Sequence, residues 1–341
     1  MKAKRLVALL LTTVLVIGMT GCQVKEESAS AAPEAGSSAA TGQPQSKPVE
    51  TAALSNSTGD EITIGVLMKT MSDTYSNKLG TAIENYAAET YPNVKISLMD
   101  GQADVAKQIS QAEDLIAKQV DIIILNPQDA DGSSQVLDLC AAANIPVIEV
   151  NNATLKDDYL SFVGSNDVEA GEIMGNYVDE KLGGSGNLVL LEGLMGESGQ
   201  LYRREGLENT ILAKDGYELL SELSAEWSRA KAMSITEDWL GKYPQIDAIL
   251  CENDDMAMGA LQAAESSERD PLIIGVDAIP DALQAVKDGR MDATILQDAQ
   301  GQAQVSVDVA VKIVNGESVE KEYSVPFQLI TSENVDQFME P

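Results

Sequence analysis

Residues 121–150 read DIIILNPQDADGSSQVLDLCAAANIPVIEV. The run Asp121–Leu125 (DIIIL) is short, almost wholly apolar and followed at once by the turn-forming Asn126-Pro127 pair. That pattern suits a strand buried on both faces. Ser133–Ala143 reads as a helix, and Pro146–Val150 as a second strand. Strand, helix and strand within thirty residues form the crossover unit that joins parallel neighbours in a sheet.

The alternation continues outward in both directions. Upstream lie a strand at Glu61–Met68 (EITIGVLM), a helix at Asp73–Thr90 with Leu79, Ile83 and Tyr86 on one face, a strand at Val94–Met99 and a helix at Asp104–Gln119. Downstream, Ser161–Gly164 is a further strand, and the rhythm then restarts. Helix Asn166–Leu182 carries an asparagine cap candidate, and the turn Gly183-Gly184-Ser185-Gly186 leads to strand Asn187–Glu192. Helix Ser198–Lys214, strand Tyr217–Ser224, helix Arg229–Lys242, strand Asp247–Leu250 and helix Asp254–Ser267 follow. Strand Leu272–Val276, helix Pro280–Lys287 and strand Asp292–Leu296 come next, and helix Gly301–Asn315 and strand Tyr323–Ile330 close the chain. The expected class is α/β, with two doubly wound parallel-sheet halves in tandem.

The first twenty-two residues bound the location. Lys2, Lys4 and Arg5 precede an apolar run from Leu6 to Met19, too short for a spanning helix, and Met19-Thr20-Gly21-Cys22 ends it in small residues. This is an export signal, and a cysteine at its cleavage point resembles the lipobox of bacterial lipoproteins. The resemblance implies removal of residues 1–21 and acylation of Cys22, which anchors the chain by lipid (palmitate among its acyl chains) to a membrane it does not cross. Residues 22–59 are rich in Ser, Ala, Pro, Gly and Glu and cannot bury enough apolar surface to offset ordering, so they read as a disordered tether. Such a chain spans roughly 30–35 Å. The expected location is extracytoplasmic: the cell surface, or the periplasm where an outer membrane exists.

Composition excludes several function classes. Formal charge is −31, and loss of the three signal cations takes it to −34, a field that repels nucleic acid and anionic headgroups. The chain has no histidine, which removes the commonest general base and transition-metal ligand. Cys140 and Cys251 sit in apolar segments and read as buried thiols, with a disulfide left open. Asp129, Asp131 and Gly132 lack the downstream glutamate of a calcium loop, and Gly193–Gly196 lacks the Gly-Lys-Ser/Thr ending of a phosphate loop. No metal and no cofactor is expected.

Ligands of open parallel sheets bind beyond the carboxyl ends of the strands. After Met68 come Lys69, Asp73, Tyr75 and Ser76; after Leu125 comes Asn126-Pro127-Gln128-Asp129; after Val150 come Asn151 and Asn152. In the second half Trp227 follows Ser224, Asn253 follows Leu250, Asp277 follows Val276 and Gln297 follows Leu296. Amides and carboxylates pair with hydroxyls, and an aromatic face packs on a C–H face, so this set suits a polyhydroxylated ring.

At these residues the chain resembles the periplasmic sugar-binding proteins of the ribose and galactose type, from Ile62 to about Gln328. The matching segments are Asn126–Asp131, Asn144-Ile145-Pro146-Val147-Ile148, Glu252–Ala260, Ile274-Gly275-Val276-Asp277 with Pro280-Asp281, and Ala293-Thr294-Ile295-Leu296-Gln297, in that order. The resemblance implies a type I periplasmic binding protein: two lobes joined by a three-strand hinge, with ligand held in the cleft. It assigns 60–165 plus 298–326 to the first lobe and 166–297 plus 327–341 to the second. The implied ligand contacts are Lys69, Asp73, Tyr75, Ser76, Asn151, Asn152, Arg203, Trp227, Asn253, Asp277 and Gln297, with no catalytic residue. Asp73 is also a cap candidate, Lys69 a surface ion-pair candidate, Asn151 and Asn152 turn candidates, and Arg203 a helix brace through Glu205 or another acidic neighbour. Trp239 lies in an amphipathic helix and reads as core.

Departures from the ribose pattern matter. Asn151–Asn152 replaces an Asp–Arg pair, Ser76 replaces a stacking ring, Leu201 stands in place of a binding arginine, and Lys69 replaces a small hydroxyl. They favour a hexose or a cyclitol such as inositol over ribose. The expected function is capture of a small neutral sugar or polyol by hinge closure, as a monomeric substrate-binding lipoprotein delivering to the permease subunits of an ABC importer. A receptor partner of a chemoreceptor or sensor kinase is the alternative within binding, and an extracytoplasmic glycoside hydrolase the remote alternative outside it.

Overall fold

One strand order is used twice. In the computed structural model, which describes residues 61–339, the first sheet is built from β1 (Ile62–Met68), β2 (Val94–Asp100), β3 (Ile122–Leu125), β4 (Val147–Val150) and β5 (Ser161–Gly164). Helices α1 (Thr74–Thr90), α2 (Val105–Ala117) and α3 (Ser134–Ala143) connect its first four strands. Helix α4 (Asp167–Leu182) leads to the second sheet of β6 (Gly186–Glu192), β7 (Tyr217–Ser224), β8 (Ala248–Cys251), β9 (Leu272–Asp277) and β10 (Ala293–Leu296). Between these strands run α5 (Ser198–Leu207), α6 (Arg229–Lys242), α7 (Asp254–Ser266) and α8 (Pro280–Lys287). The chain then forms α9 (Ala299–Val314) and two short strands, β11 (Glu322–Ser324) and β12 (Gln328–Thr331). The sheet orders are β11-β5-β4-β3-β1-β2 and β12-β10-β9-β8-β6-β7. The export signal, Cys22 and the tether lie outside the described residues.

The quoted DIIIL run explains the layering. Side chains alternate across a strand, so Ile122 and Ile124 pack with Leu79 and Ile83 of α1 and Val307 of α9, while Ile123 and Leu125 pack with Leu115 of α2 and with Val136 and Leu137 of α3. All of these apolar side chains are buried, each worth about 1.5–3 kcal/mol relative to exposure. The second sheet has the same two-faced construction, and Trp239 of α6 belongs to its core. Cys140 and Cys251 are free and buried, one on α3 and one on β8. No helix among the described residues is long and apolar enough to cross a membrane.

Two expectations change. The single strand foreseen over Tyr323–Ile330 is two strands in different sheets, separated at Val325-Pro326-Phe327. Pro326 has no N–H for a ladder, and β11 pairs parallel with β5 before the chain crosses. The chain therefore enters the second sheet from its strand exits, so β12 runs antiparallel to β10 at an edge of an otherwise parallel sheet. The helix foreseen over Ser198–Lys214 is α-helical only to Leu207 and widens to a π turn over Glu208–Leu212. There the Thr210 hydroxyl donates to the Gly206 carbonyl at 2.8 Å, a bond that opens the helical ladder.

Candidate functional site

Strand exits and helix starts build the site together. Asp73 ends the β1–α1 loop, and its Oδ1 accepts from the Ser76 N–H at 2.6 Å, capping α1. Asn253 does the same for α7, accepting from Met256 N–H at 2.9 Å. The side chain of Asn126, buried after β3, bridges three exits: Oδ1 accepts from Lys69 N–H at 3.4 Å, and Nδ2 donates to the Val150 carbonyl at 3.1 Å and to Asn151 Oδ1 at 3.5 Å. The backbones of Asn151 (φ 65°), Trp227 (φ 60°) and Asp277 (φ 125°) lie in the left-handed region that side chains other than glycine avoid. Each such residue costs on the order of 1–3 kcal/mol and persists only where surrounding structure imposes it. Here the imposed turn aims a side chain off the strand end.

All eleven residues expected at the cleft line one cavity, joined by Gly199. It holds about 330 Å³ free of protein atoms, open solvent at its mouth included. Lys69, Asp73, Tyr75, Ser76, Asn151 and Asn152 come from elements of the first sheet, and Gly199, Arg203, Trp227, Asn253, Asp277 and Gln297 from the second half. Trp227 leans on Gly193 so closely that a Cβ there would stand 2.0 Å from its ring. Four lining side chains carry a buried polar atom with no partner among the described residues: Tyr75 Oη, Ser76 Oγ, Trp227 Nε1 and Gln297 Nε2. Buried polar atoms are normally paired, and four unpaired ones around one small cavity are groups that a polar guest could satisfy.

The charges divide into clamped and unclamped. Arg203 Nε donates to Asp167 Oδ1 at 2.9 Å, Nη1 to the Glu252 carbonyl, and Nη2 to Gln297 Oε1 at 3.2 Å. It thus ties α5 to the start of α4 through Asp167, an acidic neighbour in space and not Glu205 of its own helix, and is also part of the cavity wall. Lys69 pairs with Glu197 and sits 5.2 Å from the Trp227 ring centre. This is a buried pair, not the surface pair its sequence context allowed. Burial works against the Lys69 ammonium, yet Glu197 and Asp73 outweigh it and hold its pKa above the usual lysine value. Asp277 is the unclamped group: no protein donor among the described residues bonds its carboxylate. Burial drives its pKa well above the usual range; nearby Arg203 opposes this, while Asp254, Asp73 and Asp255 reinforce it.

Glu197, Asp167 and Asn126 carry much of this geometry, and none was among the expected contacts. Asn126 stood in a quoted motif at a strand exit, which was the available signal. Glu197 gave none, because its burial is created by residues distant in sequence. Gln128 Nε2 and Asn152 Nδ2 donate to Glu197 Oε1 and Oε2 at 3.1 and 3.2 Å, alongside Lys69. Backbone contacts flank this cluster: Ala130 N–H donates to the Gly196 carbonyl at 3.0 Å, and Ala153 N–H to Ser198 Oγ at 2.9 Å. These bonds join the two halves across the cleft. Among the described residues no cluster of three or more carboxylate or thiol groups is placed to hold a metal.

Comparison with known proteins agrees with this architecture. The family described as periplasmic binding protein domain matches residues 64–318. A Rhizobium meliloti protein named for rhizopine binding is 35% identical over 286 residues, which is 81% of this chain and 92% of that protein. The ribose import binding protein of Bacillus subtilis strain 168 is 32% identical over 271 residues, covering 80% and 88%. The crystal structure of an ABC transporter solute binding protein from Bacillus halodurans C-125 with bound myo-inositol superposes with a TM-score of 0.79 at 34% identity, covering 82% of this chain and 97% of that one. The match to the family over most of the chain, with relatives above 30% identity along nearly their whole length, establishes that this chain belongs to the periplasmic binding protein family.

Proposed function

We propose that this protein captures a small neutral polyhydroxylated ring, a hexose or a cyclitol such as inositol in preference to ribose, by closing its lobes around it. The observation that carries the reading is the cavity walled from both halves, with four orphaned buried polar atoms and an indole face. Hydroxyls of a ring satisfy Tyr75, Ser76, Trp227 and Gln297 and donate to Asp277, while the ring's C–H face packs on Trp227. Ligand contacts to both halves stabilise the closed form, as in hinge-type transitions. The lobes comprise residues 60–165 with 298–326, and 166–297 with 327–341. The closed form is the one presented to the permease of an ABC importer, and the chain is a monomeric carrier and not an enzyme. An exported chain held by lipid at Cys22 and a flexible tether completes the reading, supported by the pattern of residues 1–59.

A thermal-shift screen across pentoses, hexoses, inositols and nucleosides tests it, because a ligand that binds only the folded state raises stability by mass action. The expected result is a rise with one or a few neutral polyols. A response confined to nucleosides overturns the sugar assignment.

A further inference from the structure

Glu197 stands apart from the cavity wall. It belongs to the β6–α5 loop of the second half, is 2% exposed, and faces a second, larger space at the cleft mouth together with Asp73 and Trp227. All three side chains bonded to its carboxylate come from the first half: the Lys69 ammonium after β1, the Gln128 amide after β3 and the Asn152 amide after β4. Both carboxylate oxygens are engaged. Lys69 and Asn152 line the cavity themselves, so one carboxylate reaches across the cleft to fix two of the ligand-facing side chains. None of these bonds involves a ligand, and all must break when the lobes part.

We propose that Glu197 is a positioning residue that latches the cleft without ligand: it holds the free protein partly closed and presets Lys69 and Asn152 for the guest. The inference rests on the hinge-closing reading and adds that closure is prepaid by the protein. Apparent affinity falls in proportion to the fraction of free protein that is competent to bind, so a closed fraction raised by the latch tightens binding through a residue that never touches the ligand. Charge-assisted hydrogen bonds of about 1.5–3 kcal/mol correspond to roughly a 10- to 140-fold change in that equilibrium.

The test is Glu197→Gln in the full chain, read by small-angle scattering of the free protein and by calorimetric titration with myo-inositol. Free Glu197→Gln is expected to have a larger radius of gyration than free wild type, the myo-inositol-saturated forms are expected to coincide, and Kd is expected to rise about 10-fold or more. A purely structural role would lower thermal stability without separating the free forms in scattering. Gln128→Met removes one of the three donors, should shift both readouts in the same direction by less, and serves if Glu197→Gln does not fold. Matching free-form scattering for wild type and variant, with Kd within twofold, overturns the latch. If wild type binds no polyol, the sugar assignment fails while the scattering comparison still decides the latch.

Discussion

Replacing Glu149 with glutamine removes one buried charge beside the site and leaves its hydrogen bonds nearly intact. Glu149 on β4 is fully buried, accepts from Thr154 Oγ1 at 2.7 Å and from Thr154 N–H at 3.1 Å, and so pins the loop that presents Asn151 and Asn152. Burial raises its pKa from 4.5 to about 7; the Thr154 bonds and the Lys321 charge offset only part of this. Between pH 4.5 and about 7 the folded chain keeps a proton that the unfolded chain releases, so stability falls as pH rises through that window and is level above it. A difference of about 2.5 units at 1.36 kcal/mol each gives roughly 3 kcal/mol, an upper bound because water enters and side chains relax. Thr154 Oγ1 also lies 3.2 Å from the Lys156 carbonyl, so its hydroxyl proton can turn there and leave an acceptor for the new amide. The assay is urea unfolding of wild type and Glu149→Gln from pH 4.5 to 8. The variant should match wild type near pH 4.5 and exceed it by up to roughly 3 kcal/mol at pH 8. Other raised carboxyls such as Asp254, in the second half, cancel in this comparison. Parallel curves across the range, or a variant less stable at pH 8, would refute the argument.

Three further outcomes bear on the site. Trp227→Ala and Asp277→Ala should each abolish the polyol-induced thermal shift while the free variants stay folded, and unchanged affinity in both would show the cleft misplaced. Gly193→Ala adds a Cβ where the Trp227 ring now lies 2.0 Å away, so calorimetry should find affinity lowered about tenfold or more; full retention would mean the indole does not contact ligand. With Trp239→Phe, Trp227 becomes the sole tryptophan, and its emission should change on addition of myo-inositol; a silent spectrum argues against a guest on that ring.

The sequence by itself determined the class of fold and the composition of the cavity. Buried strands such as Ile122–Leu125 must be apolar on both faces, and ligand sites in doubly wound sheets lie at strand exits, so Asn151, Trp227, Asn253, Asp277 and Gln297 could be picked out locally. The cap at Asp73 was legible locally too, because a cap is a bond between residues three apart; the cap at Asn253 emerged only from the structure. What the tertiary structure alone decided is how the halves meet. Pro326 parts one apparent strand into β11 and β12, because which sheet a strand joins depends on where the chain crosses. Glu197 looked like one more acidic residue among 54, and only closure of the cleft places Lys69, Gln128 and Asn152 around it. A carboxylate's burial and partners are set by surfaces that converge from segments 45 to 128 residues away, and no local pattern encodes that convergence.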